Sequence, residues 1–416
     1  MRKSLLLFTL LIFLVAIFGI TALSFIPYGN EITADNIMDE PLEVVEPLEV
    51  PVEIIVPIET KAKILAVGDI MFHMPQINAA KTTSGNFDFN PVFKHVKKYI
   101  EDADLALGNF ETVTVGDEMG FSGFPRFNSP VDTISALKNT GFDILSTANN
   151  HSLDRGKNGI INTIDVMNNN GIRNIGTFKD NTRPLIIEEI NDIRIGLLSY
   201  TTSLNGLDSL LSKEDSYMVN KFDEKIIIED INQLKAENVD IIVAYLHWGY
   251  EYFEEPTEYQ RELGRKILEW GVDIVLGSHP HRIQKTEMIN IDGNGKLIVY
   301  SMGNFLSNQR YETMGKQYTE DGVIVEITLN KNFDTNVTNI EEVIFRPTWV
   351  YRFRNEDGLN YEILPISDIL ADLNNQALPN NVIDRMQKSY NDTLSTMSYI
   401  DDIRDFKSGN IQTLIE

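Results

Sequence analysis

Apolar positions along this chain gather into short solid runs rather than alternating residue by residue. The runs at 64–67, 105–107, 144–145, 241–246 and 274–276 read as strands buried on both faces. Between them lie amphipathic stretches of helical length, at about 91–101, 131–139, 157–170, 224–237 and 258–270. Two further runs, 184–189 and 194–200, are joined by Asn191-Asp192 and predict a hairpin. Runs at 296–300, 322–328 and 341–346 predict antiparallel strands, the last stopped by Pro347, and one more amphipathic helix is expected at 382–390. Strand and helix alternate, so the fold class is α/β.

The first sixty residues follow other rules. Residues 5–27 are apolar apart from Thr9, Thr21 and Ser24, and they follow Arg2 and Lys3. That pattern predicts a single membrane-spanning signal-anchor over 1–28, with the bulk of the chain outside the cytoplasmic membrane. A cleaved signal peptide is the competing reading, for which Ala22-Leu-Ser24 offers only a weak small-residue site. Residues 29–60 are acidic and proline-bearing, with Glu40-Pro-Leu-Glu-Val nearly repeated at Glu46, and predict an extended stalk. The folded domain is expected over 61–352 and a helical extension over 353–416. Cysteine is absent, which excludes disulfides and thiolate ligands. The net charge of −25 excludes nucleic acid as the main partner and suits a solvated surface outside the cytoplasm.

Polar clusters sit immediately after the apolar strands. They are Gly68-Asp69-Ile-Met-Phe-His73, Gly108-Asn-Phe-Glu111, Asn149-Asn150-His151-Ser-Leu-Asp154-Arg155, His247-Trp-Gly249 and Gly277-Ser-His279-Pro-His281-Arg282. In open α/β sheets, ligands bind beyond the carboxyl ends of the strands. Of the six histidines only His95 lies elsewhere, where an exposed helix face is expected. One histidine after a strand is usually structural. Five, beside Asp69, Glu111 and Asn150, would each need a buried partner, and a divalent metal site supplies one. Oxygen and imidazole without sulfur suit Mn, Fe or Zn. More than four candidate ligands point to two ions, an arrangement that serves hydrolysis of phosphate esters. Arg126, Arg155 and Arg282 are candidates for gripping an anionic substrate, or equally surface charges.

Taken with His247-Trp-Gly-Tyr-Glu-Tyr252 and Tyr300-Ser-Met-Gly-Asn-Phe305, these motifs resemble the CapA family of poly-γ-glutamate capsule biosynthesis proteins, over about residues 61–310. The resemblance implies the calcineurin-like metallophosphoesterase fold, a four-layer αββα sandwich with two sheets. It implies that Asp69 and His281 bind a first metal, that Asn150, His247 and His279 bind a second, and that Glu111 stands at the bridging position. His151 would be the general acid toward the leaving oxygen, with Asp154 orienting its ring. Two departures are visible. The superfamily separates its first Asp and His by one residue, whereas Asp69 and His73 are further apart, which leaves His73 as a substrate-side candidate. The bridging residue is usually Asp, and Glu111 is longer by a methylene. The implied role is biosynthesis or export of a poly-γ-glutamate-type polymer by a membrane-anchored two-metal hydrolase acting on an anionic polymer or phosphoester. The other implied role is a non-catalytic accessory of a membrane-bound polymer synthase or exporter.

Overall fold

The solid apolar runs become strands because both of their faces are covered. In the computed structural model, which describes residues 58–373 and 378–397 and the backbone of 412–415, they assemble into two mixed sheets. The anchor expected at 1–28, and the stalk as far as residue 57, lie outside the described residues. No helix among the described residues is long and apolar enough to cross a membrane.

The first sheet is built from β1 (Glu59–Ile70), β2 (Leu105–Phe110), β3 (Ile144–Ser146) and β4 (Arg173–Ile175), all parallel. Helices α1 (Met74–Ala79), α2 (Asn90–Phe93), α3 (Lys97–Glu101), α4 (Asp132–Thr140) and α5 (Gly156–Asn169) connect them. The second sheet begins with the hairpin β5 (Ile186–Ile190) and β6 (Ile193–Thr201), turned by Asn191 and Asp192 at φ 50 and 63. Then come α6 (Glu224–Ala236), β7 (Ile241–His247), α7 (Glu258–Trp270), β8 (Ile274–Ser278), β9 (Thr286–Ile291) and β10 (Asn294–Val299). Its order is β5-β6-β7-β8-β10-β9. The chain then returns to the first sheet through β11 (Asn304–Leu306), α8 (Tyr311–Met314), β12 (Asp321–Asn332), β13 (Val337–Asn355) and β14 (Gly358–Pro365). These give the order β14-β13-β12-β1-β2-β3-β4, with β11 beside β1.

Three apolar clusters define the layers. Ile64, Leu107 and Val325 of the first sheet meet Leu197, Val243 and Leu276 of the second between the sheets. Leu65 and Val67 face the other way, toward Phe93, Leu137 and Met167 on the helices. Leu246 and Val275 pack outward on Ile231 and Ile267 of α6 and α7. The result is helix, sheet, sheet, helix, as the resemblance implied.

Several boundaries differ from those expected. β1 starts at Glu59, inside the expected stalk, and pairs Glu59 with Asn332. β13 runs through Pro347 instead of stopping there. Pro347 falls between the stretch paired with β15 (Gln412–Ile415) and the stretch paired with β14, so on that side its missing N–H breaks no ladder. The sheet therefore continues past residue 353, to Pro365, before α9 (Ile366–Ala371) and α10 (Asn380–Met397) follow. His95 is half-buried with Nε2 2.8 Å from Glu362 of β14, not on an exposed helix face.

Two glycines set the spacing of strand ends that carry chemistry. A Cβ on Gly68 would lie 2.0 Å from the carbonyl oxygen of Gly303, and one on Gly277 would lie 2.0 Å from that of Tyr300. Gly277→Ala should therefore cost roughly 1–3 kcal/mol by forcing backbone apart. Urea unfolding of the purified protein checks it, and an unchanged midpoint would contradict the close approach.

Candidate metal centre

The carboxyl ends of strands from both sheets point to one place. Asp69 lies at the end of β1 and Asn109 at the end of β2, Glu111 follows β2, and the turn carrying Asn149, Asn150 and His151 follows β3. From the other sheet, His247 ends β7, and His279 and His281 follow β8. All of these side chains are buried. His279 and His281 hold positive φ angles of 99 and 55, strained for residues with a Cβ, which is a cost often met at functional sites.

Buried amides connect the groups. Asn109 Nδ2 donates to Asp69 Oδ1 at 2.8 Å and to Glu111 Oε2 at 3.3 Å. Asn149 Nδ2 donates to Asn109 Oδ1 and to the Phe110 carbonyl, which ties the β3 turn to β2 and leaves Asn150 to face the centre. Asn150 Oδ1 lies 3.0 Å from His247 Nε2, and Glu111 Oε1 lies 3.6 Å from the same nitrogen. Ser278 Oγ, 2.9 Å from His247 Nδ1, can accept the proton of a ring that uses Nε2 as its ligand atom. His281 Nδ1 lies 3.1 Å from both Asp69 Oδ2 and Asn304 Oδ1, with its Nε2 3.8 Å from Glu111 Oε1. Asn304 spends its own amide protons on Gln309 Oε1 and the Thr319 carbonyl, which turns its oxygen toward His281.

Among the described residues, three groups of side chains have ligand atoms within 4.8 Å of one another: Glu111, His247 and His279; Asp69, Glu111 and His281; and Glu251, His279 and His281. Glu111 Oε1 and His279 Nδ1 are buried and find no hydrogen-bond partner among the described residues. Orphaned acceptors amid oxygen and nitrogen donors fit divalent cations, so the residues present suit the group that the fold resemblance implied.

Electrostatics agree. Burial pushes the Glu111 carboxyl well above the usual carboxylate range, and the charge of Asp69 adds to it. Burial also opposes ionisation of Asp69, but its bonds to His281 and Asn109 outweigh that and hold it low. Burial, followed by the charges of neighbouring imidazoles, drives His247 well below its ordinary value and His279 down to about 3. For His281, burial is outweighed by Asp69, and the ring ends above its ordinary value. The neutral state of His247 and His279 is the one that coordinates, and a cation beside Glu111 would restore its charge.

A second buried pair stands at the edge of this cluster. His151 Nδ1 lies 2.8 Å from Asp154 Oδ2, which also accepts from the Phe127 amide at 2.7 Å. Phe127 packs edge-on against both His151 and His73. His73 belongs to none of the three ligand groups found among the described residues. It precedes α1, and its Nδ1 accepts from the Asn308 amide. Arg126 donates through Nε to the Asp154 carbonyl, and Arg155 reaches Ser122 Oγ and the Arg126 carbonyl, so both lie beside the His151–Asp154 pair. Arg282 does not join them. It pairs with Glu254 at 2.9 Å and lies over Tyr318 in a neighbouring cleft of about 540 Å³.

Comparison with known proteins agrees with these motifs. The profile described as "Bacterial capsule synthesis protein PGA_cap" matches residues 63–309. The chain belongs to that family. It is 28% identical over 298 residues to capsule biosynthesis protein CapA of Bacillus anthracis, covering 68% of each chain. It is also 28% identical over 293 residues to PGA biosynthesis protein CapA of Bacillus subtilis (strain 168), covering 68% of this chain and 72% of that one. Among solved structures it is similar to the calcineurin-like phosphoesterase YfkN of Bacillus subtilis, with a TM-score of 0.42 and 15% identity, covering 81% of this chain and 98% of that one.

Asn109, Asn304, Ser278 and Glu251 join the centre without standing among the residues expected there from the sequence. Each lies inside a family motif, and for Glu251 the signal was its place four residues after His247. Two measurements probe the centre. Stripping divalent ions with chelator at pH 7 should lower the melting temperature, because ions that bind only the fold stabilise it by mass action. An unchanged melting temperature would count against a bound ion. Burial, with the charges of His281 and His151, lowers the pKa of His73 to about 4. Its contribution is full above the unfolded value near 6.5 and is lost as pH falls toward 4. In chelator, wild type should therefore lose roughly 2 kcal/mol more than His73→Gln between pH 7 and 5. Parallel losses would show that the ring is not held neutral.

Proposed function

We propose that this chain is a metal-dependent hydrolase of the phosphoesterase kind, held by its N-terminal segment at the outer face of the cytoplasmic membrane. It acts there in making or exporting an anionic, poly-γ-glutamate-type polymer, beside membrane-bound synthase or exporter subunits. The observation that carries the reading is the buried His151–Asp154 pair beside ligand groups that share Glu111.

In this reading Asp69, Glu111, Asn150, His247, His279 and His281 would hold two divalent ions, Mn, Fe or Zn. Such ions supply positive charge to the attacking and leaving oxygens of a phosphoester. The chain's own residues do the rest. Asp154 holds Nδ1 of His151, so the proton given to the leaving oxygen comes from Nε2. The Phe127 amide fixes the Asp154 carboxylate, and the Phe127 ring limits rotation of the imidazole. Arg126 and Arg155 offer cationic groups to an anionic chain approaching from that side.

The alternative is a non-catalytic accessory of a polymer synthase, favoured by the net charge of −25, which repels an anionic polymer. One pair of variants separates the two. His151→Ala should keep its metal content and slow turnover by roughly 10²–10⁴-fold, less for nitrophenyl esters, whose leaving groups need little protonation. His279→Ala should lose metal and activity together. If both variants support polymer production in cells as well as wild type does, the accessory reading holds instead.

A further inference from the structure

The loop after β7 brings a third carboxylate to the cluster. Trp248 to Tyr252 leave the strand through Gly249, whose φ of 89 and whose packing against the Gln260 side chain leave no room for a Cβ. Tyr252, itself at φ 68, donates its amide to the Pro280 carbonyl at 2.8 Å. That bond fastens this loop to the one carrying His279 and His281. Between the two fixed points sits Glu251, half-buried, with a carboxylate oxygen within 4.8 Å of ligand nitrogens on both histidines. The Tyr252 ring stands 6.0 Å from that of His281 and closes one side.

We infer that Glu251 is a direct metal ligand, completing with His279 and His281 a coordination group on the solvent side of the centre. The inference rests on the metal-binding reading above and adds to it a residue outside the set assigned from the motifs.

Two observations support it. His279 Nδ1 is buried with no hydrogen-bond partner, and Glu251 belongs to one of only two ligand groups, among the described residues, that contain His279. The second concerns charge. Two divalent ions held by Asp69 and Glu111 alone leave a buried excess of about two positive charges, costly in a site closed to water. A third carboxylate cuts that to about one, which an anionic substrate can neutralise on arrival. His73, the histidine nearest in sequence to Asp69, is turned to the Asn308 amide and joins none of the groups, so the ligand that its spacing withholds is available from Glu251.

The test is titration of Mn²⁺ into the chelator-stripped protein by calorimetry, for wild type, Glu251→Gln, Glu251→Asp and His279→Ala. Loss of a group that merely orients a ligand weakens metal affinity by about 10–100-fold, so loss of a ligand should do at least that. Glu251→Gln should bind one of the ions at least tenfold more weakly, with an unchanged melting temperature in chelator, and Glu251→Asp should recover part of the loss. Replacing Mn²⁺ by Co²⁺ should shift the visible absorption of Glu251→Gln relative to wild type. Unchanged stoichiometry, affinity and Co²⁺ spectrum in Glu251→Gln, alongside lost binding in His279→Ala, would overturn the role of Glu251 and leave the metal centre standing. A wild-type protein that takes up no Mn²⁺ would overturn both.

Discussion

Two carboxylates closed off from water, Asp69 and Glu111, meet across a single amide, that of Asn109. Bringing two such groups together in a dry place is unfavourable unless positive charge joins them. His281 partly answers Asp69. Glu111 Oε1 accepts no hydrogen bond from any described residue, and the nearest imidazole nitrogens, of His247 and His281, stand 3.6 and 3.8 Å away. Much of the local architecture follows from holding this arrangement in place. Asn149 ties β3 to β2, Asn304 and Ser278 orient imidazoles, and Gly68 and Gly277 let backbones approach where a side chain would separate them. The positive φ angles of His279 and His281 belong to the same set of costs, met by packing elsewhere in the two-sheet core.

The strand ends were legible in the sequence because of a simple asymmetry. Strands covered on both faces are apolar throughout, so a polar residue at their end has left the core, and one strand after another delivered such a residue. Helix limits at 224 and 258 were equally legible, since Asp223 and Thr257 cap them with their side chains. The partners within the centre were harder to read. Asn109 and Asn304 look like ordinary polar residues until the fold sets one beside Asp69 and the other beside His281. Glu251 lies past its strand, and the bonds from Trp248 to Ser278 and from Tyr252 to Pro280 turn that loop back toward the histidines. Pro347 misled for a related reason: it reads as a stop, but a strand changing partners can carry it.

His151 shows how the two sheets and one loop divide the labour. Its ring is set by Asp154 in the same turn, yet Asp154 is itself held by the amide of Phe127, which comes from the long loop after β2. The same phenylalanine touches His73, which precedes α1. A change at Phe127 would therefore reach His151, the proton donor of the proposed reaction, without touching any residue of the ligand groups. In the proposed reaction this would separate the part of the site that fixes charge from the part that moves a proton, so substitutions in the two should differ in their effect on metal content.

In the proposed function, an acidic chain and an anionic substrate are reconciled by position. Surface charges are screened over about 10 Å at moderate ionic strength, so exposed acids far from the centre repel weakly at the point of contact. Inside the centre screening fails, and the local sum decides. There two divalent ions would outweigh Asp69, Glu111 and Glu251 together, with Arg126 and Arg155 beside the His151–Asp154 pair. An anion would thus be held by a short-range field that the surface does not cancel. The acidic surface would shed an anionic product once it left that field, which suits the proposed action on a long charged chain.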